Sequence, residues 1–276
     1  MESRIAIIAG AGRFPFYVAQ EARRQGLGVV AMGIRGWADP SLRDHVDTYE
    51  EVDVGALGRL IEQLKSRNVH QAVMAGKVTK EVLFNQGTRF DGEALVVLSR
   101  VSDYSVNTVL GAIAQRLADE RITLLDSSTF LKANLCPSGV LTTRGPTVEE
   151  QEDIHLGTKA ARAIASLDIG QTIVVEHRVI VAVEALEGTD QAIRRAHALA
   201  GEGLVIVKMA SPHQDRRFDL PVIGSETIAA SSCCGVGCLA VEAGSALLLD
   251  REALIAAANR AKICLIGIET SGADDV

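Results

Sequence analysis

At 276 residues the chain has about the length at which a single hydrophobic core stops growing, so two domains are expected. Hydrophobic residues at 47% and charged residues at 23%, with 25 glycines and 6 prolines, exclude a disordered or low-complexity polymer. A net charge of −7 without any dense basic run argues against a nucleic-acid partner, and 4% aromatics argue against a stacking platform for bases.

Arg4 to Ala9 is an apolar, β-rich run followed by the loop GAGRFP, and Phe16 to Gln25 has helical spacing before Gly28 to Gly33 resumes as a strand. The unit repeats with a helix over Gly55 to Arg67 and a short buried strand over His70 to Ala75 that ends at Gly76. A further amphipathic helix spans Val106 to Asp119, with Asp103 expected as its N-cap, and a strand follows over Ile122 to Leu125. This βα alternation predicts an α/β fold, with an N-terminal Rossmann-like parallel sheet domain over residues 1–133.

Asn134 to Thr147 breaks the pattern with two prolines and two glycines, and is expected to be a linker and hinge. Residues 148–276 then form a C-terminal domain of mixed α+β type. It has a helix over Glu149 to Leu167, and a hairpin of Thr172 to Val175 and Val179 to Val183 turned around His177 and Arg178. A helix over Asp190 to Ala200, a strand over Leu204 to Lys208, a polar loop over Ser211 to Gly224, strands at Ala246 to Leu249 and Ile263 to Ile268, and a helix over Arg251 to Arg260 complete it. The five cysteines are odd in number and absent from the first 135 residues, which is a poor disulfide framework and fits a reducing cytosol. The apolar run Ile5 to Ala9 is too short for a signal-peptide core, and the longest charge-free stretch, Thr227 to Val241, is too short to span a bilayer. A cytoplasmic protein is expected.

Four places carry chemistry. Gly10, Ala11 and Gly12 lie between a strand and a helix, where glycines let a backbone approach phosphate and the helix N-terminus offers free N–H groups. The third glycine of a dinucleotide fingerprint is replaced by Pro15, and Gly33-Ile34-Arg35 stands where NAD requires an acid. NAD is therefore disfavoured, while Arg35 keeps an NADP-dependent reductase open. Gly76 and Lys77, with Lys80 beyond, put cations at the carboxyl edge of the first sheet, where open α/β sheets bind ligands.

The run from Glu184 to Asp190 sets carboxylates, Gly188 and Thr189 between a strand and a helix, with Thr189 or Asp190 able to serve simply as N-cap. Lys208 to Pro221 collects Lys208, Gln214, Arg216 and Arg217 with the carboxylates Asp215 and Asp219, the mixture that phosphoryl chemistry with Mg²⁺ requires. Cys233, Cys234 and Cys238 lack zinc-site spacing, and no serine stands in a nucleophile elbow.

The segments IAGAGRFP, MAGKV, DIGQTIVVEHRVIVAVEALEGTD, KMASPHQDRRFDLPVIGSETI and LAVEAGSALLLDRE, in this order, make the chain similar to the LpxI family of UDP-2,3-diacylglucosamine pyrophosphatases. The resemblance implies a Mg²⁺-dependent hydrolase that splits UDP-2,3-diacylglucosamine, a lipid-linked UDP-sugar, into UMP and 2,3-diacylglucosamine 1-phosphate (lipid X) in lipid A biosynthesis. It implies two domains hinged about a linker with substrate between them, water attacking the β-phosphorus, and peripheral contact with the inner membrane. Whether the chain forms a homo-oligomer is left open.

On that reading Asp219 holds Mg²⁺ or orients water, assisted by Asp215 and Glu187. Gly10, Ala11, Gly12, Gly76, Lys77, Gly188, Thr189, Lys208, Gln214 and Arg216 bind substrate, with Arg217 a further cation. Besides the reductase, a non-catalytic nucleotide-sugar binding protein remains an alternative.

Overall fold

The computed structural model describes residues 3–78, 87–211, 215–218 and 220–269, and falls into two compact units. The first comprises residues 1–132 together with 215–219, and the second residues 133–214 and 220–276.

In the first unit, strands β1 (Arg4–Ala9), β2 (Gly28–Ile34), β3 (Thr48–Val52), β4 (Gln71–Ala75) and β5 (Thr123–Leu124) form an all-parallel sheet in the order β3-β2-β1-β4-β5. β1 is central and, beyond Arg4, buried along its whole length, as its unbroken run of Ile and Ala requires of a strand covered on both faces. Helix α1 (Phe14–Arg24) packs against β1 and β2 and covers the face onto which Ile5 and Ile7 project. The opposite face, carrying Ala6, Ile8, Val30 and Met32, packs with α2 (Leu57–Ser66), α3 (Gly92–Leu98) and α4 (Val106–Asp119). β3 and α3 were not read from the sequence. β3 is the half-buried edge strand TYEEV, whose polar alternation hides it, and α3 is only seven residues long. The cap of α4 is Ser105, whose hydroxyl accepts from Thr108 N, whereas Asp103 accepts from Ser105 N in a turn one step earlier.

The second unit is built on a six-stranded mixed sheet of β6 (Gly139–Val140), β7 (Thr172–Glu176), β8 (Val179–Val183), β9 (Val205–Lys208), β11 (Cys238–Glu242) and β13 (Cys264–Ile268). Its order is β6-β13-β11-β9-β7-β8. β9, β11 and β13 run parallel, while β6 and β7 are antiparallel to their neighbours β13 and β9. A small parallel pair, β10 (Val222–Ile223) and β12 (Leu247–Leu248), lies beside it in sequence.

The period-two alternation separates two cores. Ile173, Val175, Val205, Val207 and Cys264 pack with α5 (Val148–Ser166). Val174, Ile206, Leu239 and Leu265 pack with α6 (Thr189–Ala200), α7 (Ser225–Cys233) and α8 (Arg251–Arg260). Helix α5 opens with a capping box between Thr147 and Glu150, and its Gly157 sits so close to β9 that a Cβ would lie 2.5 Å from Val207 Cγ2.

The β7–β8 hairpin turns through His177 and Arg178, both left-handed, and the Arg178 N–H donates to Asp153 Oδ1 of α5 at 2.5 Å. The stretch 134–147 is bonded into this unit: β6 pairs with β13, Leu141 N donates to Leu265 O, and Asn134 Nδ2 reaches Leu248 O. All five cysteines are free thiols, and Cys233 is the exposed one. No helix among the described residues is long and apolar enough to cross a membrane.

Candidate functional site

In the first unit the strand order places a topological switch point between β1 and β4, and the loops at their carboxyl ends carry the expected glycines. These loops are tied to each other. Gly10 N donates to Ala75 O at 2.8 Å, and Ala11 and Lys77 exchange two backbone bonds of 2.9 Å. A Cβ on Gly10 would lie 2.7 Å from Lys77 O, and one on Gly76, with φ +94°, would lie 2.7 Å from Ala11 O. Gly10 and Gly76 are thus demanded by this close approach of two backbones, and the amides of Gly10 and Ala11 are already spent on it. Gly12, with φ +91° and nothing within 4 Å of where a Cβ would stand, is the glycine that faces open space at the start of α1. Lys77 is exposed at the same edge, and Lys80 lies outside the described residues.

Residues 215–218 belong to this unit although they follow β9 in sequence. Ser127, just past β5 and 2% exposed, donates its N–H to Arg216 O, and its hydroxyl sits 2.9 Å from Met74 O and 2.7 Å from Arg217 O. The Arg216 guanidinium lies 3.1 Å from Asp126 Oδ2, and Asp126 Oδ1 accepts from both the N–H and the hydroxyl of Ser128. Phe218 packs against the apolar core of this unit, with the Arg217 guanidinium over its ring. Arg217 grips Asp215 through its Nε and Nη2, which holds the Asp215 carboxyl below its usual pKa. Asp219 and Gln214 lie outside the described residues.

In the second unit, Lys208 closes β9 and is buried, with its side chain 9% exposed. Its ammonium donates to Thr189 Oγ1 at 2.9 Å and to Thr172 Oγ1 at 3.3 Å, and lies 3.9 Å from Glu184 Oε2. The Thr189 hydroxyl donates to Glu184 Oε1 at 2.8 Å, so it presents a lone pair to Lys208. The register explains the convergence. β7 runs antiparallel to β9 with Thr172 opposite Lys208, and the chain leaving β8 passes through Glu184 into α6.

Gly188, with φ +83°, is the N-cap of α6 and has no side chain with which to cap that end, while Thr189, the first helical residue, is committed to Glu184 and Lys208. Burial pushes the Glu184 pKa up, but the Lys208 ammonium, the two threonine hydroxyls and the Gln171 N–H outweigh it and hold the carboxyl below its usual value. Glu187, by contrast, stands partly exposed, paired with Arg195 at 2.6 Å and accepting from Ala185 N.

Two structural features bear on the other readings. Arg35 is engaged by Asp53 at 2.7 Å and Glu51 at 3.0 Å, so the cation that an NADP phosphate would need is already neutralised. A groove of about 610 Å³ along α5 and Arg178 opens at the hairpin end of the sheet, away from Lys208.

Among the described residues no three His, Cys, Asp or Glu side chains come together as a metal site. Asp215, Glu187 and Asp126 are each paired with an arginine. Sequence reasoning singled out Lys208 and Thr189 and placed Glu184 in the same run without giving it a role, and it did not point to Thr172 or the Asp126-Ser127-Ser128 turn. Glu184 was within reach, since it is the acid that ends the apolar run of β8, whereas nothing in the sequence pairs residue 127 with residue 217.

Residues 4–134 match the LpxI N-terminal domain and residues 137–266 the LpxI C-terminal domain. The chain belongs to the LpxI family. A relative from Caulobacter vibrioides, named UDP-2,3-diacylglucosamine pyrophosphatase LpxI, is 31% identical over 280 residues that cover 96% of this chain and 98% of that protein. The two LpxI domains meet where the βα alternation of the first sheet stops and the stretch leading to β6 begins. Among solved structures, the biotin carboxylase domain of a Hydrogenobacter thermophilus 2-oxoglutarate carboxylase aligns at 11% identity and TM-score 0.27 over 72% of this chain and 41% of that one. The biotin carboxylase subunit of a pyruvate carboxylase aligns at 13% identity and TM-score 0.27 over 73% and 43%. The chain spans less than half the length of those two proteins, and such low scores carry no conclusion for an LpxI chain.

Proposed function

We propose that this chain is a hydrolase that splits the pyrophosphate of UDP-2,3-diacylglucosamine into UMP and 2,3-diacylglucosamine 1-phosphate. Membership of the LpxI family along both domains supports the reaction, and one geometric observation supports the chemistry: the buried Lys208 ammonium held beside the open first turn of α6. A pyrophosphate diester repels an incoming nucleophile by its own negative charge, so that charge must be neutralised before water can attack in line. An ammonium at a helix N-terminus combines a full positive charge with oriented N–H groups and the positive end of the helix dipole. Thr189 fixes the direction of the ammonium, and Gly188 leaves the helix entry clear of side chain. Arg216, aimed by Asp126 and Ser128, supplies a second directed cation in the first unit.

Asp219 is proposed as the residue that orients water, and Mg²⁺ as a requirement; both rest on the family resemblance. Attack at the β-phosphorus is proposed on the same ground, and turnover in ¹⁸O-water with the label found in the sugar phosphate rather than in UMP supports it. A diacylated substrate resides in a bilayer, so peripheral contact with the inner membrane is part of the proposal, and co-sedimentation with anionic vesicles tests it. The reaction itself is tested by UMP release with Mg²⁺ and with EDTA. Release that stops on chelation and returns with Mg²⁺ supports the full proposal. Release indifferent to EDTA removes the metal, and binding of the UDP-sugar without release supports the non-catalytic reading instead.

A further inference from the structure

The Lys208 network contains a carboxylate to which the reaction as proposed gives no part. Glu184 has its side chain 12% exposed, and its two oxygens are used differently. Oε1 accepts a hydrogen bond from the Thr189 hydroxyl, while Oε2 faces the ammonium at 3.9 Å and makes no hydrogen bond among the described residues. That separation is too long for a hydrogen bond, yet close for two charges in a buried setting.

The consequence lies in counting donors. An ammonium has three N–H groups, and Thr189 and Thr172 take two of them. Had Glu184 bonded the ammonium directly, the third donor would be consumed and Lys208 would be a closed structural ion pair. Held one hydroxyl away, Glu184 instead balances the charge and sets the direction of the Thr189 lone pair, and one lysine donor remains for a ligand. Without the carboxylate the ammonium loses the counter-charge 3.9 Å away, and the Thr189 hydroxyl loses the acceptor that turns its lone pair toward Lys208.

We propose that Glu184 is a positioning residue for Lys208, which through Thr189 balances the charge of the ammonium and keeps its third N–H directed at the phosphate oxygens of the substrate. This rests on the hydrolase reading for its effect on turnover, but not for its effect on the lysine. The test uses the whole chain carrying Glu184→Gln, which keeps the shape and an acceptor but removes the charge. Steady-state UMP release is expected to lose at least tenfold in kcat with KM changed less than threefold, because the substrate still finds a side chain there but not an aligned cation.

In parallel, acylation of Lys208 by an N-hydroxysuccinimide ester, mapped by mass spectrometry against Lys159 and Lys132 as exposed controls, is expected to rise several-fold over the protected wild type. A Glu184→Gln protein with wild-type kcat and an equally protected Lys208 overturns the proposal, whatever its melting temperature. Should the variant fail to fold, Glu184→Asp keeps the charge but withdraws it by one methylene, and the same two readings apply. If wild type releases no UMP, the functional reading falls while the labelling experiment still decides what Glu184 does to Lys208.

Discussion

The closeness of the β1 and β4 loops makes two neighbouring glycines respond differently to the same added methyl group. In Gly10→Ala the new Cβ lies 2.7 Å from Lys77 O and 2.9 Å from Gly76 C, all backbone atoms with no flexible end to yield. Restoring ordinary contact moves the loops apart by roughly 0.7 Å, which stretches the paired Ala11–Lys77 bonds from 2.9 Å past hydrogen-bonding length. Two bonds at about 1 kcal/mol each, with residual crowding, give a loss of about 2–3 kcal/mol. That corresponds to a fall of roughly 5–10 °C in Tm for a unit of this size. Gly12→Ala meets nothing within 4 Å and suffers only its φ of +91°, about 1–2 kcal/mol. Thermal melts followed by circular dichroism should therefore rank Gly10→Ala below Gly12→Ala, while KM for UMP release should rise more in folded Gly12→Ala. A Gly10→Ala protein that melts within 1–2 °C of wild type would refute the argument that backbone approach dictates this glycine.

Three further outcomes follow from single contacts. Arg35→Ala should leave UMP release unchanged and NADPH fluorescence unresponsive, because Arg35 is neutralised by Asp53 and Glu51; NADPH binding abolished by this change would revive the reductase. Asp215→Asn should destabilise most near pH 7. The Arg217 contact lowers the folded-state pKa of Asp215, so its stabilisation is full above its unfolded value of about 4 and is lost as pH falls through the lower folded value. Urea melts of wild type and variant should thus converge in acid, and a gap that widens there contradicts the pairing. Iodoacetamide should modify the native protein at Cys233 alone, since the other four thiols are buried and burial pushes Cys136 up to about 11; rapid labelling of Cys238 or Cys264 would show the second sheet open.

Most of the framework was legible because it rests on local chemistry. Unbroken apolar runs such as Ile5 to Ala9 state a doubly covered parallel strand, and the spacing of Leu57, Leu60, Ile61 and Leu64 states a helix face. What escaped was set by partners distant in sequence. The edge strand β3 is polar enough to pass for loop, and α7 and β11 sit in a run of Ser, Cys and Gly with little periodicity. The return of 215–218 onto the first unit rests on contacts far apart in sequence, among them a buried serine ninety residues away from Arg217, the Arg216–Asp126 pair and Phe218 on the apolar core.

The candidate site divides in the same manner. Lys208 and Thr189 were visible as a cation after a strand and a hydroxyl before a helix. That they share Glu184 depends on the pairing of β7 with β9, which no local pattern states. The glycines of the first loop were read as a phosphate cradle from spacing alone, whereas the backbone of the loop after β4 provides the reason for Gly10, but not for Gly12.

Cleavage of the phosphoanhydride of UDP-2,3-diacylglucosamine, proposed for this chain, is read at the phosphorus atoms themselves by ³¹P NMR of the purified protein with that substrate and Mg²⁺ in mixed micelles. The coupled diphosphate pair should give way to two phosphomonoester resonances, UMP and the sugar 1-phosphate, in equal amounts. A diphosphate signal that persists, or that becomes UDP through loss of the sugar, would contradict it.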